Sequence, residues 1–295
     1  MNKRFLFSLL ACSLTISAQG QNTPEKDYCQ TETVVIWDNT TAPHSNYLTG
    51  EETLDAPNKI GNVTCAEMYI FAAEPSCATG QAVVICPGGG YSMVALRHEG
   101  LEIARMLAQK GITASVLKYR MPNANKEVPL EDALRAIELM RERSEKYGFS
   151  ADSVGIMGSS AGGHLAATAS NLAPKGAAPD FTVLLYPVIS SEADATHSGS
   201  FKLLLGENAT ESQKREYSMD RRVSESTPPT FIVLSDDDKT VPAKSSLYYY
   251  TALKEHGIPA SMHIYPTGAH GWGMSESFRY AKEWQSSLIE WLYQL

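Results

Sequence analysis

The sequence predicts an α/β fold built on a mostly parallel central sheet with helices on both faces. Segments with strand character alternate with segments of helical period over most of the 295 residues, and this alternation is typical of parallel sheets that are covered on both sides. In addition, each motif that carries chemistry directly follows a predicted strand. Sheets of this kind bind their ligands at the carboxyl ends of the strands.

The predicted strands are short apolar runs, and the predicted helices repeat apolar residues every three or four positions. The strands cover residues 68–71, 82–85, 113–119, 153–157, 181–186, 231–234 and 261–265. The helices cover residues 99–110, 129–147, 161–171, 244–256 and 276–293. Helix 129–147 has the clearest pattern, and Pro129 suits its first turn.

Two segments fall outside this alternation. Residues 21–64 are polar, with one β-like run at 34–37, and we expect an N-terminal strap across a catalytic domain that spans 65–295. Residues 188–229 are also polar and end near Pro228-Pro229. We expect this stretch to form a short lid insertion over the site.

The N-terminus has the features of a secretory signal peptide over residues 1–20. Lys3 and Arg4 precede an apolar stretch that is too short to span a bilayer, and Ala18-Gln19-Gly20 supplies small residues for cleavage near Gln21. The sequence thus predicts a secreted or periplasmic protein with no membrane span. An alternative is a lipid anchor at Cys12, which ends a lipobox-like run and would give an outer-membrane lipoprotein.

Composition narrows the function classes. The hydrophobic fraction of 43% fits a soluble globular protein, and the net charge of -8 argues against a nucleic-acid partner. Cys29, Cys65, Cys77 and Cys86 remain after cleavage, which allows two disulfides of unknown pairing. Neither a CxxC pair nor an HExxH motif occurs, so we expect no metal and no cofactor.

Residues 158–162 match G-x-S-x-G, the nucleophile elbow. A serine on a sharp strand-to-helix turn needs glycines two positions before and after it, because side chains there would clash with neighbouring elements. The helix that follows presents N–H groups that favour negative charge. Ser160 is therefore the predicted nucleophile, whereas Ser159 lies off the glycine register.

Pro87-Gly88-Gly89-Gly90-Tyr91 follows another predicted strand. Consecutive glycines let the backbone approach a ligand and direct N–H groups at an oxyanion. The candidate oxyanion-hole donors are Gly89, Gly90 and Ala161. The alternative is a glycine-rich turn that binds no ligand.

The stretch from Ser235 to Pro242 contains three consecutive aspartates, one of which should orient the catalytic base. These residues alone leave the choice among them open. His270 lies among small residues after the last predicted strand, where it is free to reach a serine. His98 follows the glycine-rich run and could line the pocket, and His164 is expected to pack behind Ser160. The remaining four histidines have the weaker positions of surface, loop or strand residues: His44, His197, His256 and His263.

The chain order of serine, aspartate and histidine is that of the α/β-hydrolase fold. The sequence resembles the bacterial α/β-hydrolases described as acetyl esterases or acetylxylan esterases, related to lipase/esterase and dienelactone-hydrolase-like proteins. The matching stretches are VVICPGGGYSMVALRHEG, VGIMGSSAGGHLAA, PPTFIVLSDDDKTVP and MHIYPTGAHGWGM. The resemblance selects Asp238, in the register D-x-x-V-P, ahead of Asp237. It also implies deacetylation of plant-type polysaccharides or their oligosaccharides, usually outside the cytoplasm.

Two positions depart from the resemblance: Ser235 replaces a frequent histidine or alanine, and Ser159 replaces a frequent aromatic residue.

From the motifs and the resemblance together, we predict a secreted serine esterase that acts on an acylated carbohydrate such as acetylated xylan. Tyr91, Trp272 and His98 could bind the sugar, although the two rings could equally pack in the core. The alternatives are a feruloyl or general carboxylesterase, a prolyl-oligopeptidase-type peptidase, or a catalytically dead carbohydrate-binding module.

Overall fold

The computed structural model describes residues 30–56 and 59–295. The predicted signal peptide, Cys12 and Cys29 lie outside these ranges. Of the remaining cysteines, Cys65, Cys77 and Cys86 form no disulfide with one another. Within the described ranges, no helix has the length and apolar character needed to cross a bilayer.

An eight-stranded sheet forms the centre of the fold. In chain order its strands are β1 (Glu32–Asp38), β4 (Cys65–Phe71), β5 (Ala82–Cys86), β7 (Thr113–Lys118), β8 (Val154–Ser159), β9 (Thr182–Leu185), β10 (Thr230–Ser235) and β11 (Ala260–Tyr265). A separate three-stranded sheet contains β2 (Thr53–Ala56), β3 (Lys59–Gly61) and β6 (Met93–Val94). The large sheet has the order β1-β4-β7-β5-β8-β9-β10-β11 and is parallel from β7 onward.

Eight α-helices lie in the described ranges. They are α1 (Glu102–Gln109), α2 (Glu127–Glu142), α3 (Ser144–Tyr147), α4 (Ser160–Leu172), α5 (Ser198–Leu205), α6 (Glu211–Glu216), α7 (Lys244–Glu255) and α8 (Ala281–Leu292). The connection from β5 through α1 moves one way across the sheet to β7, and the connection through α2 moves the opposite way to β8. Right-handed crossovers in opposite directions place their helices on opposite faces.

Burial follows from this layering. Every residue of β5, β7, β8, β9 and β10 is buried, as expected for parallel strands covered on both faces. The predicted fold class, with its mostly parallel sheet, is confirmed. Each strand that the sequence predicts has a counterpart within one to three residues.

Three elements differ from the sequence predictions. The β-like run at 34–37 is part of β1, which pairs antiparallel with β4, so this part of the expected strap belongs to the central sheet. The small sheet has strands of only two to four residues and left no periodic signal. In the turns before the last helix, Phe278 stacks on Trp272, and Tyr280 stacks on Tyr265 at the end of β11. Because of this packing, the helix begins at Ala281 instead of 276.

The insertion (residues 188–229) contains α5, α6 and a short turn of 3-10 helix, and it is attached to the body of the domain by hydrogen bonds. The Ile189 N–H donates to Ser245 Oγ, on α7, at 3.0 Å. The Tyr217 carbonyl accepts a hydrogen bond from Nε2 of His164, on α4, at 2.7 Å. Phe201 of α5 is buried against the same imidazole. The insertion therefore packs on the helix that begins at Ser160.

Candidate active site

The turn between β8 and α4 places Ser160 at the first position of the helix, with a φ of 53°. The glycines on either side permit this turn because two backbone segments approach them closely. A Cβ at Gly158 would lie 2.1 Å from the Gly162 carbonyl oxygen, and one at Gly162 would lie 2.0 Å from the Cys86 oxygen. Only glycine fits either position, for the steric reason that the motif predicts.

Ser160, His270 and Asp238 form a continuous hydrogen-bonded chain. Ser160 Oγ lies 2.8 Å from His270 Nε2, and His270 Nδ1 lies 2.6 Å from Asp238 Oδ2. A carboxylate only accepts hydrogen bonds, so Nδ1 carries the proton and Nε2 is left to accept from the serine. The other oxygen, Asp238 Oδ1, accepts from the N–H groups of Thr240 and Val241 at 2.8 and 3.0 Å. The chain is thus arranged for proton transfer away from the Ser160 hydroxyl.

The two neighbouring aspartates, Asp236 and Asp237, are exposed. Asp237 Oδ1 accepts a hydrogen bond from the Ala269 N–H at 2.7 Å, one residue before the imidazole. The sequence left Asp237 as the second choice for orienting His270, or otherwise as a solvated loop charge. The structure instead puts it on the backbone of the histidine loop (residues 267–273), where it fixes the position of that loop.

The glycine loop (residues 87–91) lies against the nucleophile, because a Cβ at Gly88 would be 2.9 Å from that of Ser160. The Gly88 carbonyl accepts from the Ala95 N–H, and the Gly89 carbonyl accepts from the N–H of Met93. In a trans peptide the following N–H points away from the carbonyl. The Gly89 and Gly90 N–H groups therefore point away from residues 92–95, and among the described residues neither donates to a loop carbonyl. They remain candidate oxyanion donors, as does Ala161 in the first turn of α4.

The two predicted aromatic platforms are buried. Tyr91 is 2% exposed and its hydroxyl lies 2.9 Å from His164 Nδ1. Trp272 is 4% exposed, donates to Ser235 Oγ at 3.0 Å and stacks on Phe278. The expectation that these rings stack on a sugar is therefore corrected, because each is held in the core by a hydrogen bond and by ring packing.

The third predicted contact, His98, keeps an accessible side chain, with 28% of its surface exposed. A cavity of about 360 Å³ is lined by residues of the histidine loop and of the segment that follows it. Its wall includes His270 together with the polar residues Thr267, Ser275, Ser277 and Arg279. No group of three or more His, Cys, Asp or Glu side chains in the described ranges is placed to hold a metal ion.

Sequence reasoning missed the positions of three residues near the triad of Ser160, His270 and Asp238. His197, which the sequence placed among the surface, loop or strand histidines, caps α5 and is partly buried. Its pKa is lowered by burial and by the nearby His270. Tyr186 directly follows β9 and its ring lies 4.9 Å from that of His270; a polar residue at the end of a parallel strand was a usable signal. Glu99 is buried, and no pattern in the sequence marks a glutamate for the interior.

The buried imidazole of His164 should make stability depend on pH. Burial lowers its pKa to about 4, although the Tyr217 carbonyl acts in the opposite direction. An unfolded histidine titrates near 6.5, so between pH 6.5 and 4 the unfolded chain binds a proton that the native chain does not. The free energy of unfolding should therefore fall as pH falls through this window, by about 3 kcal/mol in total.

Urea unfolding of the wild type and of His164→Gln at pH 7 and pH 5 measures this effect. The variant is expected to be less stable at pH 7, because it loses the contacts to Tyr91 and Tyr217, and to lose less stability on acidification. An equal acid-induced loss in both proteins would contradict the prediction. His197 and His263, whose pKa values burial also lowers, contribute equally to both proteins.

A parallel sheet with a nucleophile elbow, a histidine after its last strand and an aspartate after the preceding one defines an α/β hydrolase. Residues 83–274 match the profile of the alpha/beta hydrolase fold family, and the chain belongs to that family. The family resemblance predicted from the sequence is confirmed.

Individual relatives include enzymes of xylan breakdown. The acetylxylan esterase of Xylanibacter ruminicola is 36% identical over 231 residues, which cover 77% of this chain and 48% of that protein. Endo-1,4-beta-xylanase B of Butyrivibrio fibrisolvens is 33% identical over 204 residues, covering 64% of this chain and 32% of that protein. The chain thus spans about half the length of the first relative and about a third of the second.

Solved structures extend the likeness to nearly the whole chain. An acetyl ester-xyloside bifunctional hydrolase of Caldicellulosiruptor lactoaceticus has a TM-score of 0.77 and 33% identity. The match covers 90% of this chain and 96% of that one. A sugar hydrolase of Lactococcus lactis matches with a TM-score of 0.66 and 27% identity, over 78% of this chain and 94% of that chain.

Proposed function

We propose that the protein is a secreted serine esterase that removes acetyl groups from xylan-type polysaccharides or oligosaccharides through an acyl-serine intermediate. The observation that carries the proposal is the hydrogen-bonded chain from Ser160 through His270 to Asp238. The names of two relatives, an acetylxylan esterase and an acetyl ester-xyloside hydrolase, support the choice of substrate. The signal-peptide pattern of residues 1–20 supports secretion.

In this proposal His270 Nε2 takes the hydroxyl proton of Ser160 as Oγ attacks the acetyl carbonyl carbon. The resulting oxyanion accepts hydrogen bonds from the N–H groups of Gly89, Gly90 and Ala161. His270 then gives its proton to the sugar oxygen, which leaves as an alcohol. Water attacks the acetyl-serine with His270 again as the base, and acetate leaves. Asp238 stays ionised and stabilises the imidazolium.

The surroundings of the triad support a small acyl group and a polar leaving group. The insertion is short and packs on α4, which favours an acetyl group over a long acyl chain. The cavity beside His270 has polar residues in its wall, and side chains of these types can form hydrogen bonds with sugar hydroxyls. His98, whose side chain is 28% exposed, remains a candidate for a further sugar contact.

Acetate release from acetylated xylan and xylo-oligosaccharides tests the proposal, with p-nitrophenyl acetate as a reference ester and the Ser160→Ala variant as the blank. We expect the mature wild type to release acetate from the glycans and the variant to release none above the blank reaction. Hydrolysis of p-nitrophenyl acetate without acetate release from glycans would support esterase activity but refute the glycan as substrate. The alternative would then be a feruloyl or general carboxylesterase. A wild type that is inactive on every ester and unlabelled by a fluorophosphonate would indicate a catalytically dead binding module.

A further inference from the structure

Glu99 is a buried carboxylate next to the candidate active site, and the proposed reaction assigns it no role. It lies in the helical turn Arg97–Leu101 after the glycine loop and is 3% exposed. Burying a carboxylate is costly unless hydrogen bonds compensate it. Among the described residues, the imidazole of His98 lies 3.9 Å from Glu99 Oε1, beyond hydrogen-bond distance. Each carboxylate oxygen accepts a hydrogen bond from one neutral donor.

The first donor belongs to the glycine loop. Glu99 Oε2 accepts a hydrogen bond from the Gly88 N–H at 2.8 Å. The Gly88 carbonyl accepts from Ala95 and the Gly89 carbonyl from Met93, so three successive peptide groups of the loop are fixed. Glu99 holds the first of these groups, directly before the two that carry the Gly89 and Gly90 N–H groups.

The second donor leads to the histidine loop. Glu99 Oε1 accepts from the Tyr186 hydroxyl at 2.7 Å, and the Tyr186 oxygen accepts from the Gly273 N–H at 2.9 Å. The same phenol ring packs edge-on against His270, with ring centroids 4.9 Å apart. One carboxylate thus connects the backbone that would bind the oxyanion to the backbone and the imidazole of the catalytic base.

We propose that Glu99 is a positioning residue for ester hydrolysis, which holds the glycine loop directly and the histidine loop through Tyr186. The inference rests on the proposed esterase function but not on the identity of the sugar. Its contribution arises in the transition state, where both loops must meet the same tetrahedral carbon. A misplacement of about 1 Å in such a site costs about 10²-fold in rate, as does the loss of one oxyanion donor.

Glu99→Gln tests the proposal, because an amide has one acceptor oxygen where the carboxylate has two. The Gly88 N–H then keeps its acceptor only if the Tyr186 hydroxyl stops donating and accepts from the amide instead. We expect kcat for p-nitrophenyl acetate to fall about 10²-fold with little change in KM, since the lost alignment matters in the transition state. The matched control is Glu102→Gln, three residues along the chain, whose carboxylate pairs with Arg97 at the surface. It should keep the wild-type kcat.

Tyr186→Phe leaves the Glu99–Gly88 hydrogen bond in place and removes the hydroxyl that joins Glu99 to the histidine loop, and it covers the case in which Glu99→Gln does not fold. The variant loses the hydrogen bonds to Glu99 and Gly273, so kcat should fall about tenfold or more. Thermal denaturation separates loss of alignment from loss of fold. A folded Glu99→Gln variant with the wild-type kcat would overturn the proposal, and so would a variant in which only KM rises. If Glu99→Gln does not fold, a wild-type kcat in Tyr186→Phe would overturn it.

The rate at which a fluorophosphonate labels Ser160 provides a second measurement that needs no substrate. We expect the same order of variants, with Glu99→Gln slowest. A wild type that labels but does not hydrolyse esters would overturn the proposed function and leave this comparison to decide the role of Glu99. Equal labelling rates in all variants would overturn the positioning role while the esterase function stands.

Discussion

Replacing Ser160 with alanine is expected to lower kcat for ester hydrolysis about 10⁶-fold. In the proposed mechanism the variant lacks the oxygen that attacks the carbonyl and receives the acyl group, so the remaining alignment of His270 and the glycine loop can only assist water. The fold should be unaffected, because serine already occupies the φ of 53° at this turn and alanine adds no atom. Turnover of p-nitrophenyl acetate and circular dichroism would measure both effects.

Ser159→Ala is the matched control for that experiment. Ser159 is also buried and directly precedes the nucleophile, but it ends β8 and its side chain is not part of the Ser160–His270–Asp238 chain. We expect less than a tenfold change, the scale of one neutral hydrogen bond. Comparable losses in the two variants would point to disruption of the elbow instead of loss of a nucleophile.

Asp238→Asn should lower kcat about 10⁴-fold while leaving the site almost isosteric. The amide nitrogen can donate to His270 Nδ1, which favours the tautomer with the proton on Nε2. In that tautomer Nε2 cannot accept the proton of Ser160. The N–H groups of Thr240 and Val241 still find an oxygen on the asparagine, so we expect a folded protein whose activity is measured with the same ester.

Asp237→Asn is the corresponding control among the three adjacent aspartates. Its side-chain oxygen can still accept from the Ala269 N–H, as the carboxylate does at 2.7 Å. We expect a loss of less than tenfold, because a hydrogen bond to an ionised oxygen becomes one to a neutral oxygen. A larger effect in Asp237→Asn than in Asp238→Asn would refute the assignment of the orienting carboxylate.

The sequence was most informative where local chemistry requires one residue type. The glycines around Ser160 could be predicted because any side chain at Gly158 or Gly162 meets backbone oxygens at about 2 Å. The positions of strands β5, β8 and β10 could be predicted equally well, because burial on both faces requires continuous apolar runs. The positions of motifs after these strands then followed from the geometry of parallel sheets.

Features that depend on distant partners could not be predicted in the same way. For Tyr91 the sequence left a sugar contact and core packing equally open, and only its contact with His164, 73 residues away in sequence, puts it in the core. Trp272 is likewise held by Ser235. The burial of Glu99 could not be predicted either, because a glutamate is ordinarily expected to be exposed to solvent. Its burial is compensated by groups from two other segments of the chain.

The attachment of the insertion to α4 has a consequence for how substrate reaches the site. Because the Tyr217 carbonyl is bound to His164, one turn after the nucleophile, the segment cannot swing away without breaking a contact inside the core. Many hydrolases with hinged lids are limited by opening and closing, and their turnover can change abruptly at a lipid surface. We expect an insertion held on α4 in this way to leave access to Ser160 constant in size. Selection among acyl groups then becomes a matter of steric exclusion, and turnover should follow substrate concentration along a simple hyperbola.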